Sequence, residues 1–150
     1  MKPSRLAREN LAPRSVPPKP GTTDFQQRRV YDSIVDLIAN PDIKIIGIEP
    51  KSREHTLSGI KKISDLPDEF KPKILDYSLI DDIIAVDDQD AYQAGIRLAR
   101  TEGIMVGPTT GAVLHAAQQF GAENSGHAVV ISPDSATKYL SAYAKYLEDS

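Results

Sequence analysis

Cysteine is absent from the 150 residues. Disulfides, thiolate nucleophiles and cysteine-held zinc are thereby excluded. A basic excess is absent too. Lys and Arg number 18 against 21 Asp and Glu, a formal charge of −3, whereas a nucleic-acid-binding chain is expected to present a basic face. No apolar run approaches the ~20 residues that cross a bilayer. Neither a nucleic-acid nor a membrane partner is therefore expected. Histidine is scarce. His55, His115 and His127 are scattered and lack the His-x-x-x-His spacing of a metal site, so no metal is expected. Met1-Lys2-Pro3-Ser4-Arg5 lacks the apolar core of a secretory signal, which makes a cytoplasmic address the expectation.

What is present divides into two stretches. Residues 1–22 hold Pro3, Pro13, Pro17, Pro18 and Pro20 among Arg, Lys and Ser. Proline removes donors and blocks helix, so this segment reads as extended or disordered. Residues 23–150 read as one α/β domain. Tyr31, Ile34, Val35 and Ile38 keep the spacing of one buried helix face, predicting a helix over 24–39 that Asn40-Pro41 stops. The apolar run 43–48 predicts a buried strand. Prolines 50, 67 and 72 break the next stretch into loops, with short helical turns expected at 59–63 and 70–75.

The second half alternates more clearly. A strand is predicted at 83–86. Asp87-Asp88 then offers a cap for a helix to about Thr101, ended by Gly103. A strand at 104–106, a helix over 111–120 stopped by Gly121, a strand at 128–132 and a final helix from Ser135 through Leu147 complete the series. Strands alternating with helices imply a parallel sheet with right-handed crossovers. Ligands in such sheets bind beyond the carboxyl ends of the strands. Thr109, Thr110, Ser132 and Asp134 fall at such ends.

Gly107-Pro108-Thr109-Thr110-Gly111 joins an apolar run to a helix start. Its hydroxyls lie where free helix N–H groups point, a place that suits a small polar or anionic ligand. Two structural explanations compete with a ligand there. Thr109 can be a helix N-cap and Asp134 the cap of the last helix. The acidic cluster Asp81, Asp82, Asp87, Asp88 and Asp90 reads as helix-capping carboxylates rather than a calcium loop. Tyr139, Tyr143 and Tyr146 are at helical spacing and read as packing residues. His115 reads as a packed or surface side chain, with no acid placed in sequence to orient it.

From about Asn40 onward the chain resembles the cysteine synthase and cystathionine β-synthase group, pyridoxal-phosphate enzymes of fold type II. The resemblance rests on residues 40–50 (Asn-Pro-Asp-Ile-Lys-Ile-Ile-Gly-Ile-Glu-Pro), 57–61 (Leu-Ser-Gly-Ile-Lys), 99–117 (Ala-Arg-Thr-Glu-Gly-Ile-Met-Val-Gly-Pro-Thr-Thr-Gly-Ala-Val-Leu-His-Ala-Ala) and 132–141 (Ser-Pro-Asp-Ser-Ala-Thr-Lys-Tyr-Leu-Ser). Their order and spacing over roughly 110 residues carry it. The resemblance implies a three-layer domain, a parallel sheet between helices. It implies that the Thr109 hydroxyl bonds the cofactor's pyridine nitrogen and leaves it unprotonated, which suits β-elimination. Gly107, Thr110 and Gly111 would shape that turn, with Pro133 and Asp134 beside the ring. Gly59 would lie near the substrate entrance, after the short Ser58. Activated serine is the implied substrate, and a homodimer or a complementing chain the implied assembly.

The same resemblance exposes what is missing. The group's Schiff-base lysine is followed by Asp-Arg, and no lysine here has that context. Gly21-Thr22-Thr23 opens like the phosphate loop, but Asp24 then brings a charge that repels phosphate. No catalytic residue is assigned. The sequence therefore reads as the C-terminal portion of a β-replacement enzyme, inactive alone. A non-catalytic module that pairs with another chain is the alternative.

Overall fold

The computed structural model describes residues 43–72 and 77–147. The expected segment 1–22 and the helix expected at 24–39 lie outside the described residues. Strand β1 is Ile46–Pro50 and strand β2 is Asp82–Val86. They pair in a two-stranded sheet. Asp81 N–H donates to the Ile45 carbonyl at 2.8 Å before the strands, and Lys51 N–H donates to the Val86 carbonyl at 2.9 Å after them. Both partners advance in the same direction, so the pair is parallel and the chain is of the α/β class.

Two compact units divide the chain, and the boundary passes through both strands. In the first, residues 1–47 with 73–82, the Asp81 carboxylate accepts from Ile45 N–H at 2.8 Å, and a 3-10 turn spans Tyr77–Leu79. The second, residues 48–72 with 83–150, holds helix α1 (Asp88–Glu102), helix α2 (Pro108–Glu123) and the short helix α3 (Leu140–Ala144).

α1 begins with Asp88 and Asp90 in its first turn and ends with Arg100 in its last, charges that suit the helix dipole. Gly103 closes it in the left-handed region at φ 70°, where a side chain is strained. The side-chain cap expected from Asp87 or Asp88 is not made. Asp87 faces Lys51 at 3.5 Å. Asp88 turns outward to accept from both the N–H and the hydroxyl of Thr56, at 2.6 and 2.7 Å. α2 starts earlier than expected because Pro108 fits a first helical position, its missing N–H being unneeded there. Gly121 does not stop it. Asn124 ends it, with its side-chain amide donating to the Phe120 carbonyl at 2.8 Å.

The core of this unit gathers Leu57, Val86, Ala91, Tyr92, Ile96, Ala112, Ala116, Ala136 and Tyr143. Small residues let α1 and α2 approach closely. The larger volume comes from tyrosines: Tyr92 stacks on Tyr146 at 4.2 Å and meets Tyr143 edge-on at 5.0 Å. The Tyr143 hydroxyl donates to the Val106 carbonyl at 2.9 Å. Burial pushes its phenol up, and the Asp134 charge adds to that. Tyr143 and Tyr146 thus act as packing residues, as their spacing predicts.

Four expectations need correction. The run 104–106 makes only an isolated antiparallel bridge, Val106 to Ser135. The run 128–132 forms no strand and is largely exposed, Val129 at 83%. Apolar residues alone do not make a strand; it exists only as a ladder with a neighbour, and among the described residues none lies alongside. The final helix is broken into a 3-10 turn, Ala136–Lys138, and α3, because Tyr139 at φ −125°, ψ 10° leaves the helical region. No helical turn forms at 59–63; a 3-10 turn spans Asp68–Phe70, and residues 73–75 of the turn expected at 70–75 lie outside the described residues.

Candidate functional site

The residues expected to hold a ligand meet at the N-terminus of α2. Gly107 precedes the helix in an extended conformation, φ −80° and ψ 173°. A new helix leaves its first N–H groups without intrahelical partners. Here one carboxylate takes two of them. Asp134 Oδ2 accepts from Thr109 N–H at 3.0 Å, and Oδ1 accepts from Thr110 N–H at 2.9 Å. Gly107 N–H donates to the Asp134 carbonyl at 3.2 Å. Asp134 therefore caps α2 from 25 residues away rather than the last helix, and the 3-10 turn Ala136–Lys138 is capped by the Ser135 hydroxyl, which accepts from Thr137 N–H at 3.4 Å. Charge, dipole and hydrogen bonds coincide at this cap.

The hydroxyls are equally committed. Thr110 Oγ1 lies 2.5 Å from Asp134 Oδ1 and 3.0 Å from Ser132 Oγ. A hydroxyl carries one proton, and the carboxylate is the stronger acceptor, so Thr110 donates to Asp134 and accepts from Ser132. Thr109 Oγ1 donates to the Ser58 carbonyl at 2.6 Å. Both threonines are buried, Thr109 at 7% exposure and Thr110 at 2%. Thus Gly107, Thr109, Thr110, Gly111, Asp134 and the Ser58-Gly59 turn are brought together, while Pro133 sits exposed beside them.

Close contact accounts for the glycines. A Cβ on Gly107 would lie 2.3 Å from the Asp134 carboxylate. One on Gly111 would lie 2.2 Å from the Ala91 carbonyl of α1. Gly59 adopts φ 102°, open to glycine and strained for other residues, with the Thr109 hydroxyl 3.4 Å from where its Cβ would be.

Sequence reasoning missed the fastenings of the loop that carries Gly59. Glu49, 7% exposed, accepts from Ser64 N–H at 3.0 Å and from its hydroxyl at 2.6 Å. Thr56 is held by Asp88, as described above. Its carbonyl accepts from the Tyr92 hydroxyl at 3.3 Å. An acid at the end of a buried strand, followed by proline, was the available signal. His115 also departs from expectation: Asp90 of α1 lies 3.8 Å from its Nε2. The two come from different helices, so no sequence spacing announces the pair.

A family model described as pyridoxal-phosphate dependent enzyme matches residues 30–134. The chain belongs to this family. It is 36% identical over 108 residues to the cysteine synthase of Aquifex aeolicus, an alignment covering 69% of this chain and 32% of that protein. It is 38% identical over 107 residues to the probable cysteine synthase of Bacillus subtilis, covering 67% and 34%. Among solved structures, an O-ureido-L-serine synthase superposes with TM-score 0.58 at 29% identity, covering 72% of this chain and 36% of that one. A hydrogen sulfide-producing enzyme of Fusobacterium nucleatum gives TM-score 0.57 at 32% identity, covering 66% and 36%. The chain thus spans about a third of the length of the relatives it matches, in keeping with a C-terminal portion.

Members of the family depend on pyridoxal phosphate. The α2 turn of this chain does not fit a neutral pyridine nitrogen, which needs a donor. The N–H groups of Thr109 and Thr110 and both hydroxyl protons are already used inside the chain. Nor does it fit the cofactor phosphate, because Asp134 occupies the anion position of the helix N-terminus. Among the described residues no helix is long and apolar enough to cross a membrane.

Proposed function

We propose that this chain is a partial cysteine synthase-like protein of the β-replacement class, catalytically silent on its own. Full-length chemistry of this kind makes L-cysteine from an activated serine and sulfide. The observation that carries the reading is a family match over residues 30–134 in a sequence with no lysine in Schiff-base context. Such a lysine supplies both the covalent link and the proton shuttle. The ring-side turn, Gly107 to Gly111 with Pro133 and Asp134, is the inherited part of the pocket in this reading, and Gly59 marks its entrance. The protein is assigned to the cytoplasm.

The test mixes the purified chain with pyridoxal phosphate, follows the aldimine absorbance and reduces with borohydride. Peptide mass mapping should find no single defined pyridoxyl-lysine. Sulfide with O-acetylserine or O-phosphoserine should give no cysteine above the protein-free rate. One defined adduct, or turnover, would sink the silent reading.

A second reading is favoured by one observation. Ile104 at 54%, Met105 at 59%, Val129 at 83% and Ile131 at 59% exposure flank the Val106–Ser135 bridge, with no neighbouring strand among the described residues. Exposed apolar stretches of this kind mark association surfaces. In this reading the chain is a non-catalytic module that pairs with a second copy or a complementing chain. Light scattering should then report a mass above the monomer, and Val129→Lys with Ile131→Lys should return it to the monomer. A monomeric wild-type mass that binds no apolar dye counts against pairing.

A further inference from the structure

Two short apolar runs meet at their ends in the second unit. Val106 bridges Ser135, and Gly107 N–H donates to the Asp134 carbonyl at 3.2 Å. Ahead of these tips lie Ile104-Met105 and Ala128 to Ser132. Among the described residues no backbone hydrogen bond joins 104–105 or 128–132 to a neighbour. Ile104, Met105, Val129 and Ile131 are each more than half exposed.

Composition says what kind of neighbour these runs suit. No Asp, Glu, Lys or Arg stands among residues 103–108 or 125–133. Natural edge strands are blunted by charges, especially lysine, or by a proline along the edge. A strand with one wet face alternates apolar and polar residues. Ile104-Met105-Val106 and Ala128-Val129-Val130-Ile131 do neither. Continuous apolar runs rich in β-branched residues belong inside a sheet, covered on both faces.

The occupant follows from how much must be covered. A lone peptide along five residues offers less than the about 800 Å² per partner that stable complexes bury, so a folded body is required. A second copy brings the same two uncovered runs. Joined edge to edge through 128–132, it would leave Ile104 and Met105 of both copies as exposed as before. The family match passes through both runs, spanning residues 30–134. About two thirds of each aligned relative has no counterpart in this chain. That missing portion is large enough to pair and cover both runs.

We propose that residues 104–106 and 128–132 form the docking face for a second polypeptide that carries the N-terminal portion of this family's fold. The partner lays an extended segment along 128–132 and covers the apolar side chains of both runs. The proposal rests on the pairing reading given above and narrows it to one partner.

The probe is the part of the Bacillus subtilis probable cysteine synthase that lies N-terminal to the aligned region, coexpressed with the full chain. The expected result is a one-to-one complex by light scattering. The chain alone binds an apolar dye, and the complex binds less. Amide exchange at 104–106 and 128–132 slows at least tenfold in the complex, as a new ladder requires. Val129→Lys with Ile131→Lys weakens the complex at least tenfold. Gln119→Lys with Ala122→Lys adds the same charge on the exposed side of α2 and leaves the complex intact. Both double variants keep the parent's urea midpoint, since all four positions are exposed. No complex, or one that survives Val129→Lys with Ile131→Lys, would overturn the proposal. So would a complex in which exchange at 128–132 is unchanged. A homodimer that the fragment does not alter also overturns it, yet leaves the broader pairing reading standing. A monomer that binds neither dye nor fragment sinks both. The silent-chain reading is decided separately, by the aldimine and turnover measurements on the chain alone.

Discussion

Gly111→Ala should destabilise the chain by about 2–4 kcal/mol in urea unfolding, against its own helix propensity. Within a helix, alanine is favoured over glycine by about 1 kcal/mol. That gain is available only where the methyl has room. At Gly111 the methyl carbon would lie 2.2 Å from the Ala91 carbonyl oxygen and 3.1 Å from its carbon. Both are backbone atoms, so no side chain can swing aside. The helices must separate, and that separation opens the contact sealed by Ala91 and Ala112, each fully buried. Overpacking of this kind outweighs propensity. Gly121 is the control on the same helix: nothing lies within 4 Å of its Cβ position, so Gly121→Ala should gain up to about 1 kcal/mol. A Gly111→Ala variant as stable as the parent would mean that α1 and α2 do not approach as described. The glycine would then owe its place to a ligand rather than to the helix contact.

That pair of glycines shows what a sequence can and cannot reveal. The helices were legible because their apolar positions repeat at 3.6 residues and their ends carry local signals. Gly103 announces the end of α1, whereas α2 begins at Pro108, three residues before the expected start. The parallel pairing of β1 and β2 was legible in outline, since apolar runs at both places flank helical patterns. Residues 104–106 and 128–132 carry the same apolar signature and make no ladder, because strand pairing depends on a neighbour that periodicity does not name. The turn at α2 was legible as a place but not as a circuit. Small and hydroxyl residues before a helix suit an incoming ligand and a self-contained cap equally well. Only the folded structure shows that Asp134 and Ser58 already hold the donors. Glu49 with Ser64, and Asp90 with His115, escaped notice for the same reason: each pair joins different elements.

Asp134→Ala should be the most damaging side-chain deletion at that turn, costing about 2–4 kcal/mol. The carboxylate satisfies Thr109 N–H, Thr110 N–H and the Thr110 hydroxyl at once. Both threonines are buried, so water cannot readily replace what is removed. An unsatisfied buried donor costs about 1–3 kcal/mol, and two backbone donors are orphaned together. Asp134→Asn keeps one acceptor oxygen and turns the other position into a donor that faces an N–H. It should fall between parent and alanine, which separates hydrogen bonding from mere volume. Thr110→Val removes one of the three bonds, and its effect should shrink in the Asp134→Ala background, since the partner is already gone. A coupling of about 1 kcal/mol is expected from urea melts of the four proteins. The Ser58-Gly59 turn gives a local readout. With Asp134 removed, Thr109 loses its backbone anchor, and the amides of that turn should exchange with solvent faster than in the parent. If Asp134→Ala unfolds within 0.5 kcal/mol of the parent, the size expected of an unconnected surface change, the carboxylate is not what closes the start of α2.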